Sequence, residues 1–215
     1  MIDLKLIKNS KDSDLLLGIN ILNKYIPSNL NINSNELVYW IDNYNKEFND
    51  KLYCYIIKYN NIVIGWFQFT HFIDKFIFID YFIVEKQYRT NEIMKNIYNL
   101  IKNEFNKTKC DSIILECGLE MNQHDAIIKL YKKFGFNTFD INYLEPSIDV
   151  NLYQQKIDWI AIPSVLMYYN KKLSLLEIVK TIYFNHYLRW YSLYEFDLTD
   201  YRTFLNNIIN NYEKH

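Results

Sequence analysis

Apolar and polar positions along the chain repeat with two periods, one near 2 and one near 3.6, and their succession predicts the order of elements. Ile2–Lys8 alternates as a first strand, and Asp12–Tyr25 follows with helical spacing. In Ser34–Asn49 the residues Leu37, Trp40, Ile41, Tyr44 and Phe48 fall on one helical face, with Ser34 placed to cap it. Lys51–Tyr59 and Ile62–Thr70 are rich in β formers. Between them lies Asn60-Asn61, a pair that tolerates the positive φ of a tight hairpin. Gly65 inside the second run predicts a bulge. Phe76–Val84 is apolar on both faces, which predicts a central strand buried on both sides, and Asp80 is its one charge.

The second half continues the pattern. Glu92–Phe105 places Ile93, Ile97, Leu100, Ile101 and Phe105 on one helical face. Ser112–Cys117 is a short buried strand. Asn122–Phe134 is a helix with Ile127, Leu130, Tyr131 and Phe134 on one side; Asp125 sits in its first turn and Lys129, Lys132 and Lys133 follow, as the helix dipole favours. Phe136–Tyr143 is expected as a strand, Leu144–Asp158 as a polar connection containing Pro146, and Trp159–Leu173 as a strand bent at Pro163. The remainder is expected to be helical, from the capping box Ser174-Leu175-Leu176-Glu177 to the amphipathic run Tyr201, Phe204, Leu205, Ile208, Ile209, Tyr212. Hairpins imply antiparallel pairing, whereas the strand–helix–strand–helix–strand middle requires parallel pairing, so the fold class is mixed α/β. At about 150 residues per domain, 215 residues make one domain with or without an appendage.

Charge narrows the function classes. With 24 basic against 25 acidic residues the chain lacks the basic footprint of a nucleic-acid binder. Its longest apolar runs, Phe76–Val84 and Trp159–Tyr169, fall short of the roughly 18–20 residues of a spanning helix. Met1-Ile2-Asp3-Leu4-Lys5 is not a signal-peptide start. The expectation is a cytoplasmic protein with neither nucleic-acid nor membrane partners. Cys54, Cys110 and Cys117 are expected to be reduced thiols, and His71, His124, His186 and His215 form no ligand spacing, so no metal is expected. Asn, Ile, Tyr and Lys dominate, while Ala occurs only at 126 and 161 and Gly only four times, the signature of an AT-rich genome. In such a chain a glycine motif can be eroded while its function is kept.

Three segments then carry a resemblance. Asn61-Ile62-Val63-Ile64-Gly65-Trp66, the apolar strand, and Val84-Glu85-Lys86-Gln87-Tyr88-Arg89 together are similar to a strand leading into V-x-P-x-Y-R, with Lys86 at the proline. Leu130-Tyr131-Lys132-Lys133-Phe134-Gly135-Phe136 resembles L-Y-x-K-x-G-F, and Val165–Leu173 resembles a closing strand. These are features of the GNAT superfamily of N-acetyltransferases. The resemblance covers roughly residues 1–173 and leaves 174–215 as a helical C-terminal extension. It implies a mixed, mostly antiparallel twisted sheet with a central, splayed parallel strand pair, and acetyl-CoA as co-substrate. It also implies a pyrophosphate loop Q/R-x-x-G-x-G/A at Arg89, Thr90, Asn91, Glu92, Ile93 and Met94, where Glu92 and Met94 replace both small residues. Arg89, one of three arginines, is expected at a phosphate. Further CoA contacts are implied at Phe82, Ile83 and Val84, whose backbone would supply the oxyanion donor, at Tyr131, and at His124, which takes the place of an Asn, with Asn122 as its alternative.

Acyl transfer to an amine needs a base for an ammonium of pKa near ~10, donors for an oxyanion, and a proton for the departing thiolate. Asp80 is the first candidate base: an apolar strand should raise its pKa, alternation puts it on the face of Phe82 and Val84, and the resemblance implies a catalytic His or acid at this place. Glu116 is the second, and Glu120 and His71 follow. The resemblance implies Tyr131 as general acid, although Gly135 and Phe136 would also explain the motif as a helix stop. The aromatic stretch Tyr187, Trp190, Tyr191, Tyr194 and Phe196 fits core or a homodimer interface through the C-terminal helices, or a stack on an acceptor. The expected activity is N-acetylation of a small-molecule primary amine, such as an amino sugar on a nucleotide, a polyamine or an aminoglycoside-like amine. The alternatives are acetylation of a protein N-terminus or lysine, or a catalytically degenerate binding module, for which Glu92 and Met94 argue.

Overall fold

A computed structural model describes residues 1–26, 33–118, 124–151, 156–193 and 198–212, with two units, 1–114 and 115–215. In the first, β1 (Ile2–Ile7), α1 (Leu15–Tyr25), α2 (Ser34–Glu47), β2 (Lys51–Tyr59), β3 (Ile62–Phe72) and β4 (Phe76–Val84) precede a 3₁₀ turn (Lys86–Tyr88), α3 (Asn91–Thr108) and the start of β5 (Ile113–Gly118). β1 to β4 form an antiparallel meander. Ile77 N–H donates to Ser112 O at 2.9 Å, which starts β5 alongside β4 in parallel after the α3 crossover. The class is therefore mixed α/β, as expected.

Local chemistry explains the turns. Asn60 (φ 48°) and Asn61 (φ 67°) both adopt the left-handed conformation of a two-residue hairpin. Beside Gly65, the β2–β3 register slips by one residue at Ile64. A second slip lies between β3 and β4: Gln68 faces Tyr81 and Phe69 faces Ile79, so Asp80 is an extra, bulged residue. This corrects the expected alternation. Asp80 lies on the face of Gln68 and Thr70, whereas the Phe82 ring lies on the opposite face against Phe67 (5.9 Å between centroids). β4 is buried at Phe76–Ile79 and Ile83–Val84 but only half-buried at Asp80–Phe82.

The two faces of this sheet are covered differently. Phe67 and Phe69 meet Phe105 of α3 edge-on at 5.8 and 5.2 Å. On the other face α1 comes close through Gly18, where a Cβ would stand 2.4 Å from Ile56 and 2.6 Å from Trp66.

The second unit holds the rest of β5, α4 (His124–Lys133), β6 (Asn137–Thr138), β7 (Tyr143–Asn151), β8 (Lys156–Tyr169), α5 (Leu175–Thr181), a π-helical segment (Ile182–Tyr187), α6 (Leu188–Trp190), a 3₁₀ turn (Tyr191–Leu193) and α7 (Leu198–Ile209). Strand order is β5-β8-β6, with β7 also on β8. The expected polar connection 144–158 is instead mostly strand, paired from Tyr143↔Ser164 to Asn151↔Lys156. Leu144, Ile148 and Val150 do alternate with Glu145, Ser147 and Asp149, but the polar half and Pro146 hide the period. The strand expected at Phe136–Tyr143 shrinks to Asn137–Thr138. α4 stops as the motif implies: Gly135 has φ +90°, Phe136 N–H donates to Tyr131 O at 3.1 Å, and the Phe136 ring packs on Tyr131 at 5.5 Å. The Ser174–Glu177 capping box is present at α5.

Gly18→Ala should lower stability by about 1–3 kcal/mol, because the added methyl must displace Ile56 and Trp66. A fall in the urea midpoint at unchanged slope would show it; an unchanged midpoint would mean α1 shifts freely.

Candidate active site

The bulge places the Asp80 carboxylate in a polar spot on an otherwise apolar face. Its Oδ2 accepts from Gln68 Nε2 at 3.2 Å and from Thr70 Oγ1 at 3.1 Å, and Oδ1 is sealed from solvent. Gln68 Oε1 in turn accepts from Trp66 Nε1 at 3.2 Å and from the Cys54 thiol at 3.8 Å. Cys54, Trp66, Gln68 and Thr70 are all buried. Desolvation raises the Asp80 pKa from 3.8 to about 8, against the two donors, which favour the charged form. The same burial, with the Asp80 charge nearby, keeps Cys54 a thiol.

Downstream, β4 ends in a set of ties. Glu85 N–H donates to Ile64 O of β3 at 2.7 Å. Alternation along the strand therefore turns the N–H groups of Phe82 and Val84 away from β3 and that of Ile83 toward it. The Val84 carbonyl is taken by Arg89 Nε at 2.7 Å, and the Arg89 guanidinium lies over the Tyr25 ring at 5.0 Å. Tyr25 OH donates to Glu85 Oε2 at 2.7 Å and accepts from Lys86 N–H at 3.2 Å, while Lys24 Nζ pairs with Glu85 at 2.9 Å. Arg89 thus braces the strand end while remaining exposed. Thr90 caps α3 by accepting from Ile93 N–H at 3.4 Å. The amides of Asn91 and Glu92 have no carbonyl within the helix to bond, so the terminus keeps donors for an anionic group. The Glu92 side chain is exposed there and Met94 is half-buried.

In the second unit Glu116 is half-buried on β5 and accepts from the hydroxyls of Tyr143 and Tyr187. Both phenols are pushed up by burial and by the Glu116 charge. The two phenols thus occupy both oxygens of the Glu116 carboxylate. Tyr131 is buried in α4, and burial pushes its phenol up, with the nearby Cys117 adding to this; Cys117 itself is pushed up to about 12. His124 begins α4, but its side chain lies outside the described residues, as do Asn122 and Glu120. His71 is buried, and desolvation lowers its pKa against the nearby Asp50 and Asp74 charges. Of the aromatic stretch, Tyr187 and Trp190 are core, with Trp190 Nε1 donating to His186 Nδ1 at 2.9 Å; Tyr194 and Phe196 lie outside the described residues. Among the described residues no three His, Cys, Asp or Glu side chains gather as metal ligands, and no helix is long and apolar enough to cross a membrane.

Sequence reasoning passed over Gln68, Thr70 and Trp66. Their signal was available: they occupy alternate positions of one strand, and Gln68 interrupts Phe67 and Phe69. Tyr143 and Tyr187 as partners of Glu116 had none, being 27 and 71 residues away.

Comparison with known proteins agrees with the element order. A family model described as the acetyltransferase (GNAT) family matches residues 20–136, more than half of the chain. No curated protein matches the sequence. The fold is similar to a candidate GNAT-family acetyltransferase of Bacteroides thetaiotaomicron (16% identity, TM-score 0.62, 89% of this chain and 97% of that one). It is also similar to a GNAT-family acetyltransferase of Elizabethkingia anophelis with acetyl-CoA bound (17%, 0.51, 80% and 98%). A third likeness is to the ribosomal-protein-S18-alanine N-acetyltransferase of Escherichia coli (13%, 0.52, 81% and 97%). At these identities the likeness is one of fold.

The Asp80 geometry makes stability depend on pH. Between its unfolded pKa of 3.8 and its folded value of about 8, the folded state binds more protons than the unfolded one. The Asp80 contribution is therefore full below the lower value and is lost as pH rises through the upper one. Asp80→Asn should unfold at higher urea than the parent at about pH 9, with the difference shrinking toward about pH 5. Parallel pH profiles for the two proteins would refute the buried titration.

Proposed function

The chain belongs to the GNAT acetyltransferase family, and on that footing we propose that it is an acetyl-CoA-dependent N-acetyltransferase acting on a primary amine of a small molecule. The family uses acetyl-CoA as acyl donor. The observation that carries our reading is Asp80: a carboxyl group on a strand bulge whose proton affinity lies near neutrality. A base of that strength can accept a proton from an ammonium and release it to water at neutral pH.

In this reading the amine nitrogen bonds to the acyl carbon and the carbon–sulfur bond breaks. The amine proton passes to the Asp80 carboxylate. The N–H groups of Phe82 and Val84, turned out from β3, are the oxyanion donors. Tyr131, whose burial favours the neutral phenol, donates to the departing sulfur, which leaves as the CoA thiol. Arg89, Thr90 and the α3 amides of Asn91 and Glu92 would hold the diphosphate, with Ile93 and Met94 completing the turn. Glu116, already accepting from two phenols, is the second candidate base. We assign residues 1–173 to the acetyltransferase domain and 174–215 to a helical extension. A nucleotide-linked amino sugar is the first acceptor to test, and a protein N-terminus is the competing one.

Acetyl-CoA at about 100 times its Kd should stabilise the protein by about 2.7 kcal/mol, or roughly 5–10 °C in Tm. No shift at millimolar acetyl-CoA would favour the degenerate binding module, with Glu92 closing the loop. In a thiol-release screen of amines, Asp80→Asn and Tyr131→Phe should each lower kcat by about 10²–10⁴ with the fold retained by circular dichroism. The parent's kcat/KM should rise with pH through about 8. Undiminished rates in both variants would overturn these assignments.

A further inference from the structure

We propose that Gln68 and Thr70 are positioning residues for the Asp80 carboxylate, with Trp66 fixing which end of the Gln68 amide faces it. The inference rests on the reading of Asp80 as the base and adds the device that makes it one. An indole N–H can only donate. Trp66 Nε1, 3.2 Å away, therefore identifies the Gln68 atom it meets as the amide oxygen, and the Cys54 thiol donates to the same oxygen at 3.8 Å. With its oxygen engaged on that side, the amide must present its NH₂ to Asp80, where Nε2 stands 3.2 Å from Oδ2. Thr70 Oγ1 reaches the same oxygen at 3.1 Å. Two donors converging on Oδ2 fix the rotation of the carboxyl group about its last bond.

They also set its strength. Each donor favours the charged form, so together they counter the desolvation imposed by the sheet. Several neutral groups line this stretch of β4 within the first unit. β2 contributes Cys54, which stays a thiol; β3 contributes Trp66, Gln68 and Thr70; the start of β5 contributes Ile113 and Ile114; and α1 buries Leu15, Gly18, Ile19, Ile21 and Leu22. Gln68 and Thr70, both neutral, lower the Asp80 proton affinity against the desolvation.

The test reads the Asp80 carboxyl directly, by ¹³C NMR titration of the ligand-free protein, beside the pH profile of kcat/KM. Gln68→Met and Thr70→Val should each move the carboxyl midpoint upward by up to about one unit. At neutral pH that drains the ionised fraction by up to about ten-fold. The rate profile should move with it while the KM for acetyl-CoA stays put. Thr70→Ser should restore both, and Trp66→Phe, which frees the amide to turn, should move both part of the way. If Gln68→Met fails to fold, Thr70→Val against Thr70→Ser makes the same comparison. A midpoint unmoved in Thr70→Val and Trp66→Phe overturns the positioning role and leaves the base reading standing. A midpoint that moves while the rate profile stays fixed overturns the base reading, and the positioning role with it.

Discussion

One residue too many in β4 is the constraint on which the first unit turns. An uninterrupted β4 would keep strict two-residue alternation against β3, and every side chain between Phe76 and Val84 would have its place fixed by it. The extra residue at Asp80 breaks that rule and sets a carboxyl group among aromatic and aliphatic neighbours. A carboxylate there needs donors, and β3 supplies them from two alternate positions, Gln68 and Thr70, on a strand whose other face is phenylalanine. The sheet tolerates a group that costs stability when charged, which is the expected mark of a functional position rather than a packing one.

The second unit meets its half-buried carboxylate with phenols instead. Glu116 is met by two phenol hydroxyls, from β7 and from the π-helical segment. The wider turn of that segment carries Tyr183 and Tyr187 together, so that Tyr183 bonds the Leu144 carbonyl while Tyr187 bonds Glu116. Tyr212 closes the same region by accepting from Leu144 N–H at 2.8 Å. Here the carboxylate gathers aromatic residues from distant parts of the chain. Two acidic residues thus sit in different settings, Asp80 beside an amide and a hydroxyl of β3 and Glu116 between two phenols.

Features written in local chemistry were legible in the sequence. The Asn60-Asn61 hairpin, the Ser174 capping box and the helix stop at Gly135 depend on a few adjacent residues and took the expected form. Asp80 stood out because a charge inside an apolar run is conspicuous. Its orientation was not legible, since nothing in Ile79-Asp80-Tyr81-Phe82 marks where a register slip falls; that is decided by pairing with β3. β7 was missed because half its positions are polar and Pro146 suggests a loop. The loop at Arg89–Met94 has lost both its small residues, so the family was read from element order and from the Leu130–Phe136 motif more than from the phosphate-binding signature.

The close approach of α1 has a consequence beyond packing. Gly18 lies against the Trp66 ring; the Trp66 nitrogen holds the Gln68 amide; the Gln68 amide holds Asp80. The apolar face of α1 formed by Leu15, Gly18, Ile19 and Leu22 is thus joined, through three contacts, to the Asp80 carboxyl group. Sequence drift at that surface gives evolution a fine adjustment. A change in how snugly that helix lies on the tryptophan would shift the donor held at Asp80, with Asp80 and its two partners left as they are.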